Sequence, residues 1–460
     1  MHHTDVIERV VDLTDPKKNV IYNMTVERAR EFVAAGDAVG VRGIDGQFAL
    51  VATTPLCPPL PRGGKGGLVR MARSIGRPLR YFIAKRKEGP CLVAADRIDT
   101  IHKFLSDEGL ADQFHPSYTR MAPAHHVTEI ALVGCPDPNP TYQRFFTPER
   151  NSLPADPVGI GERYVAALFD EVCKWLQHRA TSGPIGVCFS GGIDSGSVWA
   201  VTYHAMLRLG MNPSRLKAFT LAVDGRGEDV EQARRFLDHV GLGLFLETIE
   251  VPRRAVDWQE AVRVVEDYKP LDIQCAAMGL ALCRGIRERY PEWRYLIDGD
   301  GGDENLKDYP IEENPELTIK SVFNNLMLYH EGWGVDSVKH SLTYSGGLSR
   351  GYVRTYAPAA RFGFEGFSPY TLPSVIEVAE GIPFVSLTDW DHHRLYELKG
   401  KIVAAGVKAV TGMEMPIFEK RRFQHGAAER DVAGRLFPAP ETQYRRAFHE
   451  MYEKSAVVMS

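Results

Sequence analysis

The chain has no run of about 18 apolar residues and no apolar core near its beginning, so neither a membrane-spanning helix nor a secretory leader is expected. Its seven cysteines are odd in number and form no Cys-x-x-Cys pair. That spacing excludes a disulfide framework and a clustered zinc site, and it predicts reduced thiols in a cytoplasm. The histidine pairs His125-His126 and His392-His393 lack a third ligand at helical or turn spacing. Charge of one sign is scarce too: 55 Lys+Arg against 59 Asp+Glu leave a net −4, which argues against a bulk grip on nucleic acid. The basic stretch from Arg62 to Lys87 is read as a solvated loop and face. Repeats and low-complexity segments are absent. What remains is an ordinary balance, 44% hydrophobic and 25% charged over 460 residues, enough for two or three domains.

Two bodies are predicted. Residues 1–150 alternate short apolar runs with Gly/Pro turns, and Ala38–Val41, Gln47–Ala52, Leu79–Ala84 and Cys91–Ala95 read as strands. Pro55–Gly67, with four prolines and four glycines, reads as an exposed loop, and the proline-rich 135–154 as a linker. From Gly159 an amphipathic helix opens a second body in which helices alternate with apolar strands, the α/β pattern. That body spans 155–435, is expected to be mostly helical beyond about residue 310, and is followed by a C-terminal tail or helix at 436–460.

The strongest chemical signal is Ser190-Gly191-Gly192-Ile193-Asp194-Ser195, placed between the apolar run Ile185–Phe189 and a predicted helix from Gly196 to Leu207. Adjacent glycines let backbone approach a polyphosphate, and the following helix N-terminus favours negative charge. The loop lacks the lysine of a Walker A motif and carries an acid instead, which suits a metal held against a nucleotide. A second strand, Tyr295–Ile297, runs into Asp298-Gly299-Asp300-Gly301-Gly302-Asp303-Glu304. Two Gly/Asp loops after two strands are expected to face each other across one parallel sheet and share the metal.

These motifs resemble the asparagine synthetase family, whose synthetase domain is a PP-loop ATP pyrophosphatase. Ser190–Ser195 is similar to its SGG-x-DS loop and Gly299–Glu304 to its G-E-G-x-DE loop. Leu216–Leu221 looks like the strand that holds adenine, followed by Glu228, Asp229 and Ala233. Gly363–Tyr370 is similar to G-[VL]-E-A-R-x-P-F, departing at Phe367, and Glu419–Gly426 is similar to a late loop with a catalytic lysine. The resemblance implies an adenine nucleotide α hydrolase-like parallel sheet with a helical extension, preceded by an αββα, Ntn-hydrolase-like glutaminase domain. Gly43–Leu50, Ala95–Ile98 and Pro123–His126 are similar to segments of that glutaminase domain. Its nucleophile would be a cysteine after the initiator Met; position 2 is His2 and the nearest cysteine is Cys57, so a degenerate domain without glutamine hydrolysis is expected.

Loss of that nucleophile is shared with the β-lactam and carbapenam synthetases, which close amides intramolecularly. At the place of their catalytic tyrosine this chain has Asp300, while Glu365 matches their partner glutamate. Leu271-Asp272-Ile273-Gln274 stands where asparagine synthetases have TT-I-R, so an arginine is lost. The resemblance implies ATP and Mg²⁺ as cofactors. Cys188, Phe189 and Leu221 would line the adenine; Ser190, Gly191, Gly192, Asp194, Ser195, Asp298 and Gly299 would line the phosphates; Asp194 and Asp303 would hold the metal. A carboxylate, or another oxygen nucleophile such as an amide oxygen, attacks the α-phosphate, Lys420 balances charge on the transition state, and an amine or ammonia displaces AMP with Asp300 or Glu365 taking or orienting its proton. A small-molecule acid and amine are the expected partners, with a homodimer left open. An intramolecular, β-lactam-like amide synthetase stays open, as do two other classes: a PP-loop sulfur transferase using Cys275 or Cys283, and a non-enzymatic relic. Tyr329, Trp333, Tyr344 and Tyr352 are candidate pocket aromatics, or core residues.

Overall fold

The computed structural model describes residues 9–55, 67–86, 89–132, 139–225, 227–309, 311, 318–327, 351–419, 426–427 and 435–457. They fall into two compact units, one built mainly on residues up to Thr147 and one on Pro148–His330 and Arg350–Ala447.

Among the described residues the first unit contains ten strands: β1 (Arg9–Asp12), β2 (Val20–Ile21), β3 (Gly46–Gln47), β4 (Ala49–Pro55), β5 (Gly67–Arg73), β6 (Arg80–Arg86), β7 (Gly89–Ala95), β8 (Arg120–Met121), β9 (His126–Leu132) and β10 (Thr141–Arg144). Two four-stranded sheets, ordered β1-β7-β6-β8 and β10-β9-β5-β4, carry the body of it. Side chains alternate across each strand. Val51, Val69, Met71 and Ile130 of one sheet pack with Tyr81, Leu92 and Ala94 of the other. The opposite faces are covered by helices. Ala29 and Val33 of Val26–Ala35 lie on Leu50 and Ala72, and Ile101 and Leu105 of Ile98–Asp107 on Phe82 and Val93. The layers are therefore α, β, β, α.

Two expectations are corrected in this unit. Ala38–Val41 is not a strand: Ala38–Arg42 is a short helix, because the Asp37 carboxylate accepts the N–H groups of Val39 and Gly40 and caps its first turn. The basic stretch is not simply solvated. Arg73, Arg77 and Arg80 are at most 2% exposed. The Arg73 guanidinium donates to the carbonyls of Ala122 and Arg77, which supply the partners a buried cation requires.

In the second unit, β11 (Ile185–Cys188), β12 (Leu216–Val223), β13 (Leu246–Val251), β14 (Tyr295–Ile297) and β15 (Glu365–Phe367) form one parallel sheet ordered β13-β12-β11-β14-β15. The central strands β11, β12 and β14 are buried along almost their whole length, as in a parallel sheet covered on both faces, while the edge strand β13 exposes Glu250. Past 310 the described residues are mostly helical, as expected, and β15 is the only strand among them. Its Phe367, where the family pattern carries arginine, stacks on Trp175 at 4.8 Å and is 2% exposed, so this position belongs to the core. Among the described residues no helix is long and apolar enough to cross a membrane.

Candidate active site

The chain fills the sheet outward from β11 to β12 and β13, then returns to the other side of β11 with β14 and β15. Strand order therefore reverses between β11 and β14, the point where a parallel sheet leaves a crevice beyond its carboxyl ends. Val187 pairs with Ile297, so the Ser190 and Asp298 loops leave neighbouring strands. They touch. A Cβ on Gly299 would stand 2.7 Å from the Ser195 nitrogen, and one on Gly302 would strike the Asp194 carboxylate. Glycine at both positions is what lets the loops meet.

The first loop is wound tight. Gly191 sits at φ 73°, and a Cβ there would be 2.8 Å from the Ala233 nitrogen. Ser195 Oγ accepts the Ser190 N–H at 3.2 Å, Ser190 Oγ accepts that of Gly192 at 3.3 Å, and Gln232 donates to the Ser190 carbonyl at 3.2 Å. Gly192 then opens the helix Ile193–Arg208 without a side-chain cap, leaving the first-turn N–H groups and the helix dipole directed at the crevice. Cys188 and Phe189 lead into this loop, and Phe189 donates its N–H to Phe219 on β12. Leu221 lies buried further along β12.

The second loop turns on Asp298, which is 2% exposed. Its carboxylate accepts the Asp300 N–H at 3.0 Å and the Ser368 hydroxyl at 2.9 Å. Burial and the nearby Asp300 push its pKa well above the ordinary carboxylate range. Burial also raises Asp300, to about 7, against the opposing pull of Arg354 and the Thr355 hydroxyl. Arg354 lies on the π-helical turn Tyr352–Tyr356, and its Nε is 3.7 Å from Asp272. A guanidinium thus reaches the segment where the family's arginine is missing, from another element.

The structure brings only some of the expected residues together. Glu365 is not brought to the loops: it pairs with Tyr295 at the amino end of β14, and Arg179 and Arg294 bind its carboxylate at 2.7 and 3.3 Å. From that segment Ser368, beyond the carboxyl end of β15, is what reaches Asp298. Lys420 lies outside the described residues, as do His2, Cys57, Tyr329, Trp333 and Tyr344. The residues flanking its segment are anchored near the crevice: Tyr396 donates to the Phe418 carbonyl at 2.5 Å, and Ala427 accepts the N–H of Val223 at the end of β12. Asp391, His392 and His393 bring three possible ligand atoms within 4.8 Å of one another in one small, partly exposed cluster. Cys275 and Cys283 are core residues, and burial raises the Cys283 thiol pKa far above its ordinary value, so it stays protonated. Tyr352 stacks on Tyr356 at 5.5 Å.

The residue that sequence reading missed is Lys399, on the helix Leu395–Thr411. Its ammonium is 2.6 Å from Asp194 Oδ2, bonds Asp303 Oδ1, and lies 3.7 Å from Asp308, with the side chain 2% exposed. Burial alone would lower its pKa; Asp194, Asp303 and Asp308 outweigh that and raise it well above normal. Gly406, seven residues on and so on the same helix face, lets this helix press against Gly161 of Pro157–His178: a Cβ on either would strike backbone of the other helix. The signal available was a lysine inside the buried stripe Leu395, Ile402, Gly406. Asp194 and Asp303, 22% and 30% exposed, suit magnesium, which takes one or two carboxylates and fills its shell with phosphate and water. The same two oxygens already carry the ammonium.

Residues 176–366 match the family model described as asparagine synthase. Asparagine synthetase [glutamine-hydrolyzing] 1 of Lotus japonicus is 26% identical over 174 residues, 37% of this chain, and the chain spans only 28% of that protein's length. Among solved structures, an NAD+ synthetase from Burkholderia pseudomallei is 18% identical, covering 53% of this chain and 88% of its own, with a TM-score of 0.22. A glutamine-dependent NAD(+) synthetase from Cytophaga hutchinsonii is 10% identical, covering 60% and 65%, with a TM-score of 0.22. Residues 176–366 of this chain are thus similar to the asparagine synthase domain.

Proposed function

We propose that the chain is an ATP-dependent ligase that adenylates a substrate carboxylate and transfers the acyl group to an amine or ammonia. The observation that carries this reading is the direct contact of the two Gly/Asp loops at the strand-order reversal, with Gly299 against the backbone of Asp194 and Ser195. A substrate carboxylate oxygen bonds to the α-phosphorus, the α–β bridging bond breaks, and pyrophosphate leaves. The Ser190 and Ser195 hydroxyls and the uncapped first-turn N–H groups bind the phosphates, and donors preset in this way favour the charge that develops there. Asp194 and Asp303 are the residues that would hold a magnesium ion, whose charge would offset that of the phosphates. The amine then bonds to the acyl carbon and AMP departs. Asp300, with its pKa raised to about 7, takes the amine proton near neutral pH. Arg354 supplies a guanidinium suited to a second anionic group on the substrate.

The buried, protonated thiol of Cys283 and the core position of Cys275 favour this reading over sulfur transfer. The test is to incubate the full chain with ATP, Mg²⁺ and panels of small acids and amines. AMP and pyrophosphate are the expected products, with acid-dependent exchange of pyrophosphate into ATP. Release of ADP and phosphate would overturn the proposal.

A further inference from the structure

We propose that Lys399 is the resident cation of the two-acid site, holding Asp194 and Asp303 together until a divalent ion enters with the nucleotide. The inference rests on the reading that these two acids face the nucleotide phosphates. Three carboxylates, Asp194, Asp303 and Asp308, converge on one ammonium. Acids drawn from two loops and the turn after them would repel one another if left uncompensated, so the lysine lets the loops close without a ligand.

The ion and the ammonium compete for the same oxygens, Asp194 Oδ2 and Asp303 Oδ1. The nucleotide-free chain therefore binds divalent ions weakly. Entry of the ion with phosphates requires Nζ to leave at least one carboxylate. Its flexible four-carbon stem permits this without moving the helix, whose backbone is fixed by the close approach of Gly406 to Gly161. Tyr396, one turn away on this helix, holds Phe418, which leads toward Lys420. The turn that compensates the acids thus also anchors the start of the late loop.

The test is Mn²⁺ binding to the full chain without nucleotide, followed by the electron paramagnetic resonance of the free ion. A His392→Ala, His393→Ala background removes the other candidate cluster found among the described residues. Lys399→Met should bind one Mn²⁺ at least about tenfold more tightly than the parent, because the ammonium that competes for the two acids is gone. Adding Asp303→Asn should abolish that gain. Equal affinity in parent and Lys399→Met overturns the proposal. If Lys399→Met does not fold, the parent decides: tight one-to-one Mn²⁺ binding without nucleotide, lost on Asp303→Asn, overturns it, and weak binding supports it. ATP binding measured separately by calorimetry keeps the two readings apart. Its failure would sink the ligase assignment and leave the Mn²⁺ comparison standing.

Discussion

Asp303 contributes an oxygen to Lys399 and is 30% exposed, so its side chain is placed for chemistry more than for packing. Asp303→Ala should lower AMP formation by about 10²–10³-fold, the size of losing one preset charge in a site, while circular dichroism stays unchanged. Turnover near that of the parent would move the site elsewhere. Asp300 makes a separate prediction through pH. Burial raises its folded-state pKa from 3.8 to about 7. A carboxyl raised on folding lends stability that is full below about pH 4 and is lost as pH rises through 7. Thermal stability should therefore carry a falling component between those limits that Asp300→Asn removes. The rate should run the opposite way, rising through pH 7 as the base ionises, and Asp300→Asn should be slow and lack that rise. A parent profile flat from pH 6 to 8 would exclude Asp300 as the base.

At the scale of elements, the helix pair Pro157–His178 and Leu395–Thr411 decides where Lys399 sits. The two backbones meet at Gly161 and Gly406, where no Cβ fits. Gly406→Val should force them apart at a cost of about 1–3 kcal/mol, typical of overpacking. Because Lys399 rides on the displaced helix, AMP formation should fall along with the melting temperature. Unchanged stability in Gly406→Val would mean that the two helices are not packed as described. In the first unit, Asp37→Ala should cost about 1 kcal/mol by uncapping Ala38–Arg42. It should leave AMP formation alone, which an assay of both quantities checks.

For the whole molecule, the chain divides into two compact units, and the candidate nucleotide residues all belong to the one that spans Pro148–His330 and Arg350–Ala447. A ligand that binds only the folded form stabilises it by about 2.7 kcal/mol at 100 times its Kd. Hydrogen exchange with a non-hydrolysable ATP analogue should therefore show slowed exchange at the Ser190 and Asp298 loops and along the first turn of Ile193–Arg208. The β4–β5 and β6–β7 pairs should exchange as before. Protection gained in those pairs and not in the loops would relocate nucleotide binding to the αββα unit.

Local spacing alone determined the two Gly/Asp loops and the strands feeding them. A loop after an apolar run requires only neighbours in the chain, and β11 and β14 lie where that pattern put them. The alternation that builds the first unit's layers is equally local, since period-two side chains follow from strand geometry. The tertiary structure decided the rest. Glu365 looked catalytic by its place in a motif, yet parallel register sets it opposite Tyr295, at the far end of the strand from the crevice. Arg73, Arg77 and Arg80 looked like surface charge, yet all three are buried, and the Arg73 guanidinium bonds the Ala122 carbonyl, 49 residues on, as well as that of Arg77. Lys399 lies 205 residues from Asp194 and 96 from Asp303, and no local rule links them. Their meeting depends on strand order, which brings the loops together, and on two glycines, which bring the helix close enough for an ammonium to reach both acids.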